Sequence, residues 1–485
     1  MFAIDDDFAL PPLGTGKRHR LDHDEPRRAR VVETYYDTPD LRLLAAGAVL
    51  RRRRGAGGDW LLRAPGGTDG MLELHAAPAG GEPPPELRRM VTGWVGSQPL
   101  RAQLTVDTDR TATQLADRLG TPVLELADER SVAERLDDGK VRRWRALELE
   151  PLGADARLTD AVISQLIAAG ARPAGEALAY DVALGVTVRP APTGDVIAAR
   201  LRQLVTELGE QDLLFRQDAP EAVHDFRVTV RRLRSLLRTF RPLLEPSPAV
   251  QLRAELGWLG TLLGEVRDAE VLEQRFAAAL AAVPAEEQLG PVRADLVGGV
   301  RSTRLVASAR LADELDGERY RDLVDELHTF AGDPPYRGGH TGADARAVTR
   351  ASAGELRRAR KRVAAAMGAA DADRDTAYHE ARKVAKRVRY AAETVRPLGR
   401  KRARRMEQAF KAVQDTLGAR NDAVVARRIL VAEGAREGIR TGHNGFTYGV
   451  LAERERRAVT EADAAFAAVW REALAAARAW SKHPR

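Results

Sequence analysis

Apolar residues recur along this chain at two different periods. Between Arg30 and Leu152 they alternate with polar ones in the short runs RVVETYYD, GAVLRRRR, DWLLRA, GMLELHA, VLELADERSVAERL and VRRWRALELEPL. Gly, Pro and Asp clusters separate these runs, and the period of two predicts strands. Leu50 opposes Arg51 and Arg53, Leu72 and Leu74 oppose Glu73 and His75, and Leu147 and Leu149 oppose Glu148 and Glu150. Two geometries satisfy this alternation: a half-exposed sheet with charges toward water, and a closed barrel with charges inward. Helical spacing near Pro84–Val95 and Leu158–Gly170 supplies cover for the apolar side. After the Pro-containing stretch VTVRPAPT, read as a linker over 186–194, the period becomes that of helices. It runs through Asp195–Leu208, Leu252–Leu263, Val266–Leu280, Pro291–Leu311 and Tyr320–Phe330, and again from about Asp344 to Trp480.

One helix of the second region is distinctive. Asp218 to Arg241 reads DAPEAVHDFRVTVRRLRSLLRTFR. At about 100° per residue, His224, Arg227, Arg231, Arg234 and Arg238 share one side, and Phe226, Leu233, Leu236, Leu237 and Phe240 share the other. Asp218, Pro220 and Glu221 predict its start as a capping side chain, a first-turn proline and a capping-box acid. The pattern returns 155 residues later in HEARKVAKRVRYAAETV, from His379 to Val395. His379, Arg382, Lys386 and Arg389 repeat the spacing of His224, Arg227, Arg231 and Arg234; Arg387 matches Arg232, and Lys383 adds a further cation. Each copy is followed by a companion, LGEVRDAEV from Leu263 and LGARNDAVV from Leu417. Two matched pairs in matched order predict an internal duplication, about 195–331 and 344–485, joined through the loop GDPPYRGGHTG.

A basic run on a helix is ordinarily a solvated face with acids interleaved for i,i+4 pairing. Here only Asp225 and Glu380 interrupt the cations, and the uncompensated repulsion occurs twice, which favours a bound anion. The preference for Arg suits forked hydrogen bonding to phosphate oxygens. Neither His224 nor His379 has an obvious nucleophile or carboxylate orienter at helical spacing, so both read as hydrogen-bond donors to phosphate rather than as catalytic bases. Charge distribution points the same way. Residues 1–194 carry 26 basic and 29 acidic side chains, and the remainder 51 and 41, so the net +7 of the chain belongs to its C-terminal part. A nucleic-acid partner is the weaker reading, because Tyr390 is the only aromatic close to the basic residues and no groove-reading motif is present.

With 485 residues, two or three domains are expected. The absence of cysteine excludes disulfides and thiolate metal sites. No run reaches the roughly 18 apolar residues of a membrane span, and MFAIDDDFALPPL has no signal-like pattern, so a cytoplasmic location is expected.

The pattern H-x-x-R-x-x-x-R/K-R-x-R on two duplicated helices, each with its LG-x-x-x-D companion, resembles the CHAD family, the conserved histidine α-helical domain. The resemblance implies an all-α domain over 195–485 that binds inorganic polyphosphate through His224, Arg227, Arg231, Arg232, Arg234, Arg238, His379, Arg382, Lys383, Lys386, Arg387 and Arg389, with no cofactor required, and that associates with polyphosphate granules. The run YYDTPDLRL, then LRRR, ELADER and a final E-L-E strand resembles the CYTH family of triphosphate tunnel enzymes. This implies an antiparallel barrel over 1–185, with Arg51, Arg53 and Arg63 toward triphosphate and Glu148 and Glu150, helped by Glu125, toward Mg or Mn. Tyr36 and Asp37 belong to its YYDT signature. The family's opening E-x-E-x-K strand has no counterpart, because the chain begins at MFAIDDDF, and EALAYDVALG lacks the expected terminal Lys; His75 stands where Arg is common. The expected whole is therefore a multi-domain α+β protein: a degenerate tunnel-like domain whose first strand is missing or degenerate, and a polyphosphate-binding helical domain. Metal-dependent triphosphatase activity is the alternative function, and catalysis is the less expected of the two.

Overall fold

The computed structural model describes all residues except 14–20, 55–57, 67–69, 78–79, 118, 175–194, 340–341, 343, 441–443 and 482–485. The whole predicted linker, 186–194, and the EALAYDVALG segment lie outside the described residues. The chain forms two compact units, Met1–Pro190 and Ala191–Arg485.

The first unit is built on one antiparallel sheet. Its strands are β1 (Phe2–Ile4), β2 (Asp22–His23), β3 (Arg27–Asp37), β4 (Val49–Arg54), β5 (Trp60–Pro65), β6 (Met71–Ala76), β7 (Arg101–Ala116), β8 (Pro122–Arg135), β9 (Val141–Pro151) and β10 (Arg172–Pro173). They lie in the order β10-β1-β9-β8-β7-β3-β4-β5-β6, with β2 beside β7. The expected closed barrel is corrected by this order: β6 and β10 end the path and do not pair with each other. The strands at the β10 end are only three and two residues long, which leaves few ladder groups with which to close the sheet. A short strand does stand near the start of the unit. Phe2–Ile4 pairs with both β9 and β10, burying Phe2 and Ile4, although it is short and carries no Glu or Lys. Among the described residues four helices accompany the sheet: α1 (Arg42–Ala45), α2 (Pro85–Met90), α3 (Thr92–Val95) and α4 (Ala156–Ala168). Val162 and Leu166 of α4 pack with Phe2, Ile4, Leu124 and Leu147 in one core. The YYDT signature has a structural part here, since the Asp37 carboxylate accepts the backbone N–H groups of Thr38, Leu43 and Leu44 and so starts α1.

The second unit is helical: α5 (Val196–Arg216), α6 (Ala222–Thr239), α7 (Pro246–Ala281), α8 (Gly299–Leu315), α9 (Glu318–Gly332), α10 (Ala345–Met367), α11 (Asp371–Thr394), α12 (Arg400–Arg440) and α13 (Phe446–Ser481). Two stretches expected as separate helices, Leu252–Leu263 and Val266–Leu280, are one continuous α7, because nothing between them breaks the ladder. The start of α6 also departs from expectation. Asp218 and Glu221 both have positive φ, at 50° and 59°, and Glu221 precedes α6 without a side-chain capping bond, so a left-handed turn rather than a capping box begins the helix. Each half keeps its own core, one around Phe226, Leu233, Leu236 and Phe240 and the other around Val384, Val388, Phe410 and Trp470. A third cluster, with Phe276, Leu280, Leu430 and Tyr448, joins α7 to α12 and α13.

Candidate functional site

The duplication is exact at the helix boundaries that matter here. Helix α6 ends at Thr239 and α11 at Thr394, 155 residues apart, while α7 begins at Pro246 and α12 at Arg400, 154 apart. Each basic helix packs on its companion, α6 on α7 and α11 on α12, and the LG-x-x-x-D motif explains the contact. A Cβ added at Gly264 would lie 3.7 Å from the Arg227 guanidinium, and one at Gly418 would lie 3.1 Å from that of Arg382. Glycine thus makes room for an arginine to lie against the companion helix. One turn later Asp268 accepts from Arg227 Nη1 at 2.6 Å, and Asp422 stands 3.8 Å from Arg382 Nη1. These four companion residues belong to the site although only their repetition marked them.

The two basic helices also meet each other. Arg231 Nε donates to the Tyr390 hydroxyl at 2.9 Å, linking α6 of one half to α11 of the other. Around this contact Arg227, Arg231, Arg382 and Lys386 share one neighbourhood. Burial, then the positive charges of Arg231, Arg382 and Arg227, push the Lys386 ammonium down to about 6, against the opposing pull of Asp422. Arg382 is likewise lowered, by burial first and, after the opposing Asp422, by Arg231 and Arg227. The histidines differ between halves. His224 is held below its ordinary value by burial and by Arg267. His379 Nδ1 lies 2.9 Å from Asn421 Oδ1, and Asn421 occupies the position of Arg267 in the repeat.

The remaining predicted ligands are placed differently. Arg232 donates to Glu393 at 3.1 Å and Arg387 to Glu355 at 3.1 Å, and both acids are buried. Arg200 lies 3.4 Å from the same Glu393. Lys383 is paired with Glu380 at 2.8 Å. Arg389 lies 3.2 Å from Glu393 and donates to Gln414 at 3.2 Å. Arg234 and Arg238 are exposed, and among the described residues no acid pairs with either.

In the first unit the charges found by alternation are brought together but compensate one another. Glu33 pairs with both Arg51 and Arg53, Arg63 lies 3.4 Å from Glu73, and His75 Nδ1 lies 2.6 Å from Asp59. Arg110, on the β7 strand that the sequence reading passed over, sits 3.1 Å from Glu125, 3.3 Å from Glu129 and 3.3 Å from Glu148. Burial, followed by the charge of Glu148, raises Glu129 to about 7. A guanidinium therefore stands among the carboxylates proposed for Mg or Mn, and these residues do not fit a divalent ion as arranged. Glu150, on the same strand face as Glu148, is exposed, and among the described residues no cluster of three or more His, Asp or Glu is arranged to hold a metal.

Residues 195–431 match the CHAD domain family. Two Mycobacterium tuberculosis proteins are each 32% identical to this chain over 448 residues, covering 87% of it and 85% of their own length. Among solved structures, PptA from Streptomyces chartreusis is 24% identical and covers 58% of this chain and 100% of its own, with a TM-score of 0.46. The CHAD domain from the plant Ricinus communis is 28% identical, with 60% and 91% covered and a TM-score of 0.42. The chain belongs to the same family as the two mycobacterial proteins, and its helical unit carries a CHAD domain over residues 195–431.

Proposed function

We propose that this protein binds inorganic polyphosphate in a groove where its two helical repeats meet, lined by His224, Arg227, Arg231, His379, Arg382 and Lys386. The observation that carries the reading is the convergence of Arg227, Arg231, Arg382 and Lys386, cations from two halves held close enough to depress Lys386 to about 6. Asp268 and Asp422 are the acids set against them. Such crowding costs folding free energy until an anion of high charge density offsets it. Guanidinium forks match nonbridging phosphate oxygens, and the positive charge comes from side chains, so binding needs no metal. His379, with Nδ1 turned to Asn421, offers Nε2 to phosphate. Arg232 and Arg387, tied to buried carboxylates, hold the two basic helices in place rather than reaching the ligand. Association with polyphosphate granules follows if the ligand is long.

The test compares long-chain polyphosphate, triphosphate and duplex DNA at matched charge concentration, using the full chain. Arg227→Ala with Arg231→Ala, and Arg382→Ala with Lys386→Ala, should each weaken long-chain binding about tenfold or more and make its salt dependence shallower. DNA binding as tight as polyphosphate binding, or a loss confined to one pair, would overturn the shared groove.

A further inference from the structure

Past Arg234 and Arg389 the two halves stop being alike, and the differences concern charge. Counting 155 residues within the basic helices and 154 within their companions, Arg238 corresponds to Glu393, Arg253 to Glu407, and Gly260 to Gln414. Gly257 corresponds to Lys411. In the second half every one of these positions closes the surface. Glu393 takes Arg389, Arg232 and Arg200; Glu407 takes Arg396; Gln414 accepts from Arg389; and Lys411 is spent on Asp415 at 2.7 Å. In the first half the same positions leave cations open. Arg234 lies across the bare backbone of α7, with the added-Cβ position of Gly260 3.4 Å and that of Gly257 3.6 Å from its guanidinium. Partial desolvation where its guanidinium lies on α7 lowers Arg234, although the residue as a whole is exposed, and Arg253 and Arg238 lower it further, with no acid acting the other way. Arg238 also bears on Arg387, whose own carboxylate partner Glu355 is already shared with Arg358.

We propose that Arg234, Arg238 and Arg253 form a further subsite that carries the bound polyphosphate out of the groove in one direction, along the α6–α7 pair. This rests on the polyphosphate reading above. A chain anchored at Arg227, Arg231, Arg382 and Lys386 runs over Gly257 and Gly260 and meets Arg253, a residue outside both repeated motifs. Along α11 and α12 the matching positions hold Glu393 and Glu407, which already engage Arg389, Arg232, Arg200 and Arg396, so that route offers the polymer fewer unpaired cations. From Arg227 to Arg238 the track rises about 16 Å along α6, at about 1.5 Å per residue, so only long chains use its far end. Glycine matters because a side chain at position 260 would stand between the polymer and the Arg234 guanidinium.

The experiment measures affinity of the full-length protein for triphosphate and for long-chain polyphosphate at one salt concentration. Arg234→Ala with Arg253→Ala should lose about tenfold for the long chain and less than about twofold for triphosphate. Gly260→Gln, which copies the second half and favours the helix, should reproduce that selective loss with melting temperature unchanged or raised. Lys411→Ala, at the corresponding face of α12, should change neither affinity by more than about twofold. Long-chain binding that survives both first-half variants while Arg227→Ala with Arg231→Ala abolishes it would overturn the one-directional subsite and leave the groove standing. Equal losses for triphosphate and long chain would also overturn it, since the subsite would then be part of the anchor. Wild-type protein that binds no polyphosphate would remove the parent reading, and this one with it.

Discussion

Lys386 concentrates the chemistry of the groove at a single residue. Burial and the charges of Arg231, Arg382 and Arg227 bring it down to about 6, and Asp422 opposes them, so the unliganded protein holds this proton far less tightly than a free lysine does. An anion placed among these cations raises it again, so binding takes up a proton. Affinity for polyphosphate should therefore rise several-fold as pH falls from 8 to 6, and His224, also depressed, extends the rise at the acidic end. Calorimetry in buffers of different ionisation enthalpy reads that proton directly. The same shift acts on stability with a definite sign. A folded-state value below the ordinary 10.5 means that the unfolded chain holds more protons, so stability is lost as pH falls from 10.5 toward 6. Lys386→Met should consequently bind polyphosphate more weakly, lose most of the pH dependence, and melt a few degrees higher at pH 7. A variant that melts lower would place the cost of the cluster elsewhere.

At the scale of elements, the companion glycines decide how closely a basic helix and its partner can approach. Gly418→Ala would set a methyl group 3.1 Å from Arg382 Nη2, and the guanidinium would have to give by a few tenths of an ångström in its seat beside Asp422. Gly264→Ala meets Arg227 only at 3.7 Å. Both substitutions favour the helix by up to about 1 kcal/mol. Long-chain affinity should thus fall three- to tenfold for Gly418→Ala and change little for Gly264→Ala, while thermal stability holds or rises in both. Equal affinities in the two variants would show that the Arg382 seat has slack. The strands teach a different lesson. Strand β7, sixteen residues long and central to the sheet, escaped the reading of the sequence because RAQLTVDTDRTATQLA mixes Thr, Asp and Gln into both faces and shows a clear apolar alternation only at Leu104 and Val106. With it went Arg110, the residue that sits among Glu125, Glu129 and Glu148.

At the scale of the whole molecule, the two units treat their charges oppositely. The helical unit leaves cations crowded at the meeting of its halves, whereas the sheet pairs Arg51 and Arg53 with Glu33 and sets Arg110 among three glutamates. Metal-assisted phosphoryl transfer needs carboxylates free to hold the ion and cations free to hold phosphate. Phosphate release from triphosphate with Mg²⁺ or Mn²⁺ should accordingly stay near the uncatalysed background, and Glu148→Gln with Glu150→Gln should leave it unchanged. Turnover that depends on those two glutamates would mean that substrate and metal displace Arg110, and would return the sheet to the catalytic reading.

What the sequence by itself determined was whatever a single helix or strand can express: the amphipathic faces of α6 and α11, the repeat that relates them, and the alternation that set Leu50 against Arg51. These follow from 3.6-residue and two-residue periods, which need no partner to be visible. Even the asymmetry of Arg253 and Glu407 was on the page once the repeat was aligned. Only the tertiary structure decided which cations are used up and which remain open. Arg232 and Arg234 sit two residues apart on one helix, yet one is tied to the buried Glu393, 161 positions away, and the other faces solvent over two glycines. The openness of the sheet was undecided for the same reason: alternation orients side chains within a strand, while closure depends on whether the edge strands are long enough to meet. Charge is a local property of a residue, but its compensation belongs to the fold, and the function of a basic groove rests on the second.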